Sequence, residues 1–341
     1  MREQSAWCGR LGSPFYRDLL QRIAADVESS GISWSVLESR AGDPRRMKLP
    51  LRFLSAVHRL VLAGELPGLA AHYPSAGGTG DPEAAWIALR DALERLGNRI
   101  CADLPHTVQT TEVQRCCALL PGFLEVARRA RLPLRLIEVG SCAGLNLRWD
   151  CYRYETNRGS WGPPGSPLVF RDRFDGEPPR LEGEVRVSER SGCDLNPVDP
   201  ASAEGRLTLQ SFLWPDQPDR FERLGQAIEV ARRVPARVDR SDAVEWLARQ
   251  LSAPRPGVAT VVFHSIVLVY FGPEARSRFV EILTDAGARA TADAPLAWLS
   301  MEPAENQDAT DAVDLTLWPG GVARRIATAG FHAGKVSILR D

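Results

Sequence analysis

The sequence predicts an α/β protein in which a helical N-terminal segment precedes a mostly parallel sheet. Apolar residues before position 134 recur at helical spacing and show no strand periodicity. After position 134, short β-rich runs alternate with amphipathic stretches, which is the pattern of βαβ units. We therefore expect a helical segment over residues 1–130 and an α/β domain over residues 131–341, with an insertion at residues 152–183.

Local signals mark the helices of the N-terminal segment. Two helices are expected to begin where an N-cap residue is followed by proline, at Ser13-Pro14 and at Asp81-Pro82. A later helical stretch covers residues 112–130, and we expect it to break at Pro121-Gly122 because proline interrupts helix hydrogen bonding.

The α/β domain is expected to begin with a strand over residues 134–139, followed by a helix-like stretch over residues 143–150. Further strand candidates are β-rich runs at 185–194, 236–239, 259–263, 296–300, 313–317 and 336–339. The insertion is rich in glycine and proline, and loops of that length are usually functional or disordered.

Composition argues against several classes of protein. The 42 basic and 43 acidic residues leave a net charge of −1, so no overall field draws the chain toward nucleic acid or a membrane. The seven cysteines lack the spacing of a zinc site, and no metal is expected. The first 20 residues lack the apolar region of a secretory signal, so free thiols in the cytoplasm are the simplest account. We expect a small molecule as partner.

The sharpest chemical signal follows the first predicted strand and reads Glu138-Val139-Gly140-Ser141-Cys142-Ala143-Gly144. Small residues let a backbone approach a ligand closely, and the N-terminus of a following helix would offer free N–H groups. Open α/β sheets bind nucleotides at the carboxyl ends of parallel strands. The string therefore predicts a ligand site at this edge of the sheet.

This string resembles the first motif of class I S-adenosylmethionine-dependent methyltransferases, which has an acid and then glycines at alternate positions. Glu138, Gly140 and Gly144 match the motif, whereas Cys142 stands where the family usually has glycine. The resemblance implies a Rossmann-like, methyltransferase-type sheet and S-adenosylmethionine as cofactor. It also implies that these four residues and Ser141 bind the cofactor while a methyl group is transferred to a small-molecule acceptor.

Later strand ends extend the same resemblance. Asp194 and Leu195 lie where the family's second strand ends, and the acid there usually holds the ribose hydroxyls. Asp242 and Ala243 lie where the third strand ends, and these positions usually meet the adenine. His264 ends the fourth strand near the transferred methyl group and is the candidate catalytic base, with a satisfied core histidine as an equal alternative.

Weaker candidates and one departure complete the predicted site. Tyr270 and Glu302 follow successive strands and are similar candidates to the histidine. The gap between Glu138 and Asp194 is 56 positions, far more than one helix and one strand require, so the insertion must absorb the excess.

Longer strings resemble a narrower group, the uncharacterised bacterial domain-of-unknown-function family numbered two thousand three hundred and thirty-two. The strings are residues 138–154, 193–199, 211–216 and 263–265, and the resemblance covers most of the chain. It implies no particular reaction and bears mainly on the fold.

Other functions fit parts of the same pattern. The main alternative is a methyltransferase-like protein that binds a ligand without turnover, since a fold does not establish a function. Residues 140–144 also form a G-x-C-x-G string, the shape of a hydrolase nucleophile elbow with cysteine in place of serine. An acid and a histidine follow in the required order, as Asp242 or Asp194 and then His264 or His332. A dinucleotide oxidoreductase is weaker still, because the third glycine of its motif is missing.

Overall fold

The computed structural model describes residues 1–42, 48–104, 107–304 and 310–339. They form two compact units. The first unit combines Met1–Thr110 with Val198–Gly225, and the second combines Thr111–Pro197 with Gln226–Asp341. The predicted domain boundary after residue 130 stays a prediction, and residues 115–130 fall within the second unit.

The helices are numbered in chain order as α1 (Arg2–Arg10), α2 (Pro14–Glu28), α3 (Ile32–Leu37), α4 (Leu49–Leu62), α5 (Pro67–Ala70), α6 (Pro82–Ala102), α7 (Arg115–Ala130), α8 (Ala203–Ser211), α9 (Pro218–Arg233), α10 (Ala243–Gln250) and α11 (Pro273–Ala288). Among the helices of the described ranges, none has the length and apolar character needed to span a bilayer.

The strands are β1 (Leu134–Val139), β2 (Arg153–Thr156), β3 (Gly159–Trp161), β4 (Val169–Arg171), β5 (Phe174–Asp175), β6 (Val187–Asp194), β7 (Arg237–Arg240), β8 (Ala259–Ser265), β9 (Leu296–Pro303), β10 (Thr310–Trp318), β11 (Val322–Gly330) and β12 (Val336–Ile338).

The first unit is helical, and its two proline-led helices begin where the sequence predicts. The Ser13 side chain accepts a hydrogen bond from the Tyr16 amide at the start of α2. Asp81 accepts from the amides of Glu83 and Ala84 at the start of α6. Such N-caps satisfy amides that the first helical turn leaves unpaired. The apolar faces of both helices belong to one buried core.

The second unit is built on a nine-stranded sheet with the order β5-β12-β11-β10-β9-β8-β1-β6-β7. The five strands β7, β6, β1, β8 and β9 are parallel, and β9 to β12 pair as an antiparallel meander. The predicted α/β class with a large, mostly parallel sheet and helices is confirmed. Numbered by chain order, the parallel strands read 3-2-1-4-5, and the direction of winding reverses between β1 and β8.

Helix α7 packs on the sheet against β8, β9 and β11. The predicted break at Pro121-Gly122 is wrong, because α7 continues through both residues. A Cβ atom on Gly122 would overlap the Leu299 side chain of β9, so glycine here permits close approach of helix and strand. The sequence signal for a helix break is in fact a signal for tight packing.

The helix-like stretch predicted at residues 143–150 begins later than expected and is not an α-helix. A turn and a three-ten helix, Asn146–Cys151, occupy this position. Cys142 has φ = 52° and Gly144 has φ = 64°, both in the left-handed region that ends or prevents an α-helix. The guanidinium of Arg148 fixes the turn by donating to the carbonyl oxygens of Gly144 (2.6 Å) and Val234 (2.8 Å).

The insertion at residues 152–183 contributes to two sheets. Strands β2, β3 and β4 form a small sheet with the order β3-β2-β4. Trp149 stacks between Phe123 of α7 and Trp161 of β3, at centroid distances of 4.3 and 5.1 Å. Strand β5 pairs with β12 at the edge of the large sheet. The insertion is therefore packed on the second unit at two places.

Candidate functional site

The loop after β1 is tied to the end of β6. The amides of Gly140 and Ser141 both donate to the carbonyl oxygen of Cys193 at 3.0 Å. The Ser141 hydroxyl donates to the Glu138 carbonyl oxygen at 2.8 Å. Gly140 has φ = 70°, and a Cβ atom there would lie 2.6 Å from Cγ2 of Val267. The loop is therefore held close both to β6 and to the segment after β8, which requires glycine at position 140.

Asp194 joins the loops that follow β1 and β6. Its Oδ2 accepts from the Cys142 amide at 3.0 Å, and its Oδ1 accepts from the Asn196 amide at 2.8 Å. The neighbouring Leu195 side chain is 57% exposed, which is unusual for a residue of its size and type. The structure thus places Asp194 at the carboxyl edge as expected, where its carboxylate already orders the backbone.

Glu138 is the buried acid of the predicted site. Its side chain is only 3% exposed, and its Oε2 has no hydrogen-bond partner among the described residues. Burial raises the pKa of this carboxyl group well above its usual range, while the Arg148 guanidinium opposes that shift. A buried acceptor without a donor costs about 1–3 kcal/mol, so Glu138 is a position where a ligand's donor would be stabilising.

Asp242 and Ala243 lie at the start of α10. The Oδ1 atom of Asp242 accepts from the amides of Val244 (2.9 Å) and Glu245 (3.2 Å), so the residue is an exposed N-cap. Ala243 is the first residue of α10 and is half-buried. The structure gives Asp242 a local helix-capping role, and its predicted contact with adenine stays a prediction.

His264 is fully buried at the end of β8, and both of its ring nitrogens have partners. The indole N–H of Trp298 donates to Nε2 at 2.9 Å, and Nδ1 lies 2.7 Å from Oε1 of Glu302. Because indole nitrogen only donates, Nε2 must accept, and the proton therefore resides on Nδ1. A general base at His264 would first have to break the bond to Trp298, so the catalytic role stays a prediction.

Glu302 organises the segment after β8. Its Oε1 also accepts from the amides of Val267 (2.8 Å) and Leu268 (3.1 Å). These bonds hold a turn in which Ile266 has φ = 55°. Burial opposes ionisation, but the hydrogen bonds from His264 and the two amides lower the pKa of Glu302. The ionised Glu302 thus fixes the segment that places Val267 against Gly140.

Three residues near this segment were not singled out in the sequence. Arg115 donates to the carbonyl oxygens of Ser265 (3.2 Å) and Phe331 (3.1 Å), and Gln114 donates to that of His332 at 3.0 Å. Asp311 is 5% exposed, and burial together with the Glu302 charge raises its pKa to about 6. For Gln114 and Arg115 the available signal was the polar run that leads into α7, where residues 109, 112, 114 and 115 are buried.

A cavity of about 430 Å³ lies at the opposite edge of the sheet, where it is lined by Leu132 and Arg186, which precede β1 and β6 at their amino ends. Within the ranges that the structure describes, no three His, Cys, Asp or Glu side chains are arranged to hold a metal ion. The candidate site is therefore identified by its buried side chains, above all by the unpartnered Oε2 of Glu138.

The hydrolase alternative requires a reactive thiolate at Cys142. The side chain is buried, and burial, reinforced by the Asp194 charge, raises the pKa of the thiol well above its usual range. The three-ten helix that follows offers no α-helix N-terminus to stabilise the thiolate. The geometry therefore disfavours a nucleophilic role.

This leads to a prediction for alkylation of the folded protein at neutral pH. Cys142 is expected to resist iodoacetamide, whereas the half-buried Cys101 is expected to react; peptide mass mapping reads out both. Labelling in urea, where both thiols should react, is the control. Preferential labelling of Cys142 in the folded state would restore the hydrolase alternative.

The family comparison covers both units. The family model described as "Uncharacterized protein conserved in bacteria (DUF2332)" matches residues 1–337. The chain belongs to the DUF2332 family. No curated protein matches this DUF2332 chain.

Proposed function

We propose that the DUF2332 chain is a cytoplasmic S-adenosylmethionine-dependent methyltransferase with a small-molecule acceptor. The parallel strands have the order 3-2-1-4-5 of a Rossmann-like sheet. In such sheets a ligand binds beyond the carboxyl ends, where the winding reverses, which here lies between β1 and β8. The finer, methyltransferase-type assignment of the fold is part of this proposal.

Glu138 carries the proposal. It is the acid next to the end of the central strand, it is almost fully buried, and its Oε2 has no partner within the described ranges. The α-amino group of S-adenosylmethionine would supply a donor to Oε2, and its positive charge would favour the ionised form of Glu138, which burial otherwise disfavours. The cofactor would therefore satisfy the one oxygen of Glu138 that has no hydrogen-bond partner in the described ranges.

The other predicted contacts fit the cofactor in a more limited way. Asp194 lies one strand away, and each carboxylate oxygen can accept more than one hydrogen bond, so it can hold the backbone and a ribose hydroxyl together. The exposed Leu195 offers apolar surface to a purine. Asp242 caps α10 through its Oδ1 atom, and its carboxylate would still accept a hydrogen bond from the adenine amine.

In this proposal, methyl transfer depends on how the chain positions the two reactants and does not require a strong base. S-adenosylmethionine supplies an electrophilic methyl group when bound. The chain would contribute binding and orientation, which convert a bimolecular displacement into an effectively intramolecular one. Gly140 lets the loop lie against Val267, and Glu302 keeps that segment in place, so the carboxyl edge is ordered before a ligand binds.

Binding without turnover is the second candidate function. It is favoured by His264, whose two ring nitrogens are both occupied, because the predicted base is then not available to an acceptor. Calorimetry that shows cofactor binding, with no methyl transfer from labelled S-adenosylmethionine to any tested acceptor, would support this candidate.

Glu138→Gln is expected to weaken S-adenosylmethionine binding about ten- to hundred-fold, because a charge-assisted hydrogen bond is worth about 1.5–3 kcal/mol. Adenosine lacks the α-amino group of the methionine part, so its affinity should be almost unchanged. Asp194→Ala should weaken both ligands, since both carry the ribose. Calorimetry gives the affinities, and Asp285→Asn on the exposed face of α11 is the control. If the wild-type chain binds neither S-adenosylmethionine nor its demethylated product at millimolar concentration, the cofactor proposal is wrong.

A further inference from the structure

A buried histidine of the first unit faces a half-buried serine. His58 on α4 is fully buried, and its Nε2 atom lies 2.8 Å from the hydroxyl oxygen of Ser75. On the other side of the ring, Nδ1 lies 3.2 Å from the backbone carbonyl oxygen of Ser211, the last residue of α8. All three residues belong to the first unit, whereas the loop after β1 belongs to the second. We call Ser75 and His58 the serine–histidine pair.

The two contacts of the histidine determine which ring nitrogen carries the proton. A carbonyl oxygen only accepts, so Nδ1 must donate to Ser211 and therefore carries the proton. Burial lowers the pKa of His58 to about 4, so the ring is neutral at pH 7 and Nε2 has a free lone pair. The Ser75 hydroxyl donates to that lone pair, which is the arrangement that a serine needs in order to lose its proton to a base.

The carbonyl group that orients the histidine is itself held in place. The Ser211 hydroxyl donates to the Thr208 carbonyl oxygen at 2.7 Å, so in its 2.8 Å contact with Ser55 it must accept. Ser55 and His58 lie one turn apart on α4, and both bind the last residue of α8. The histidine thus has a third group that fixes its orientation, as the base of a catalytic triad does.

Ser75 is in contact with solvent, unlike the histidine ring. It is the middle residue of the three-ten turn Pro74–Ala76, between the fully buried Tyr73 and the exposed Gly77. A Cβ atom on Gly77 would meet no atom within 4 Å, so the chain lies beside open space two residues after Ser75. The pair therefore combines a base that is shielded from water with a nucleophile at the surface.

The surroundings of the serine–histidine pair favour an uncharged substrate. The His58 ring lies against the rings of Tyr73 and Phe221, at centroid distances of 5.5 and 6.1 Å. Arg59, the next residue on α4, is already bound by the carboxylate of Glu204. A transferred phosphoryl group would need cations at its oxygen atoms, whereas the carbonyl group of an ester is neutral before attack.

We propose that Ser75 is a nucleophile activated by His58 and that the first unit hydrolyses small carboxylic esters. The Ser75 hydroxyl oxygen bonds to the ester carbonyl carbon as its proton passes to Nε2, and the alcohol leaves with that proton when its bond to carbon breaks. A water molecule then attacks the acyl group and gives a proton to Nε2, which returns it to the Ser75 oxygen as the carboxylic acid is released. This activity is independent of the methyltransferase proposal.

The test treats the full chain with diisopropyl fluorophosphate, which modifies activated serines, and maps the adduct by peptide mass spectrometry. An adduct is expected on Ser75 and not on the exposed Ser29, whose hydroxyl donates to the Asp26 carbonyl oxygen. His58→Gln should slow this labelling about a hundredfold or more, because a general base contributes about 10²–10⁴-fold. Hydrolysis of p-nitrophenyl acetate should be lost in Ser75→Ala and retained in the control Ser29→Ala. Circular dichroism verifies that the variants are folded.

An unmodified Ser75 in the wild-type chain, or equal labelling rates in the wild type and a folded His58→Gln, would overturn the assignment of the nucleophile. An adduct on Ser75 without ester hydrolysis would retain the nucleophile and reject the esterase. If His58→Gln does not fold, the wild type and Ser75→Ala still distinguish these results. Ser75→Ala should bind S-adenosylmethionine like the wild type, so failure of the methyltransferase proposal would leave the esterase test unaffected.

Discussion

Glu302→Ala is expected to lower the free energy of unfolding by about 3–5 kcal/mol. Its Oε1 accepts from the His264 ring and from the amides of Val267 and Leu268. Alanine would leave these donors without their acceptor, and each buried unpaired group costs about 1–3 kcal/mol. Urea denaturation followed by tryptophan fluorescence measures the loss.

Glu302→Gln is the matched variant for this prediction. The glutamine amide retains one oxygen that can accept from the same donors, so less than half of the alanine effect is expected. Equal losses in the two variants would mean that the negative charge, rather than the acceptor geometry, stabilises the segment after β8.

Gly192→Ala is expected to destabilise the second unit by about 3 kcal/mol and to abolish ligand binding at the loop after β1. A Cβ atom on Gly192 would overlap the Ser141 hydroxyl oxygen and lie 3.0 Å from the carbonyl oxygen of Glu138. Overpacking in a buried site usually costs about 1–3 kcal/mol, and here the obstacle includes backbone. The midpoint of urea unfolding gives the change.

A second substitution tests the cause. Ser141→Gly removes the hydroxyl that the new methyl group meets, so the double variant should regain part of the lost stability, while the Glu138 carbonyl oxygen still limits the recovery. Contacting residues are expected to show such coupling, whereas independent sites add. Strictly additive losses in Ser141→Gly, Gly192→Ala and the double variant would contradict the proposed contact.

The fold class could be predicted from the sequence because the features that indicate it involve residues close together in the chain. The N-caps at Ser13 and Asp81 depend on residues a few positions away, and alternation of strands with helices predicts a parallel sheet. Two local signals were misread. Gly122 reflects contact with β9, and the left-handed turn at Cys142 and Gly144 depends on its ties to β6 and β7. Both depend on chain segments far away in sequence.

In the candidate site, too, local sequence predicts the positions of residues but not the contacts that they make with distant segments. Glu138, Asp194 and His264 were placed at strand ends by pattern alone, and the structure has them at the carboxyl edge. The partners that determine their chemistry come from elsewhere. The indole of Trp298 fixes the tautomer of His264, and the guanidinium of Arg148 opposes the effect of burial on Glu138. No spacing rule predicts such pairings, because the loop lengths between the strands are free to vary.

The short strand β5 has a consequence for self-association. It covers the outer side of β12, where the Val336 amide donates to the Arg173 carbonyl oxygen at 2.9 Å. An uncovered strand edge is a template for pairing with another chain. With β5 in place the outermost strand is two residues long and ends in the charged Asp175, which makes a poor template. Excising the insertion would bare the edge of a four-stranded antiparallel meander, so a shortened chain would be prone to aggregate even if its core remained intact.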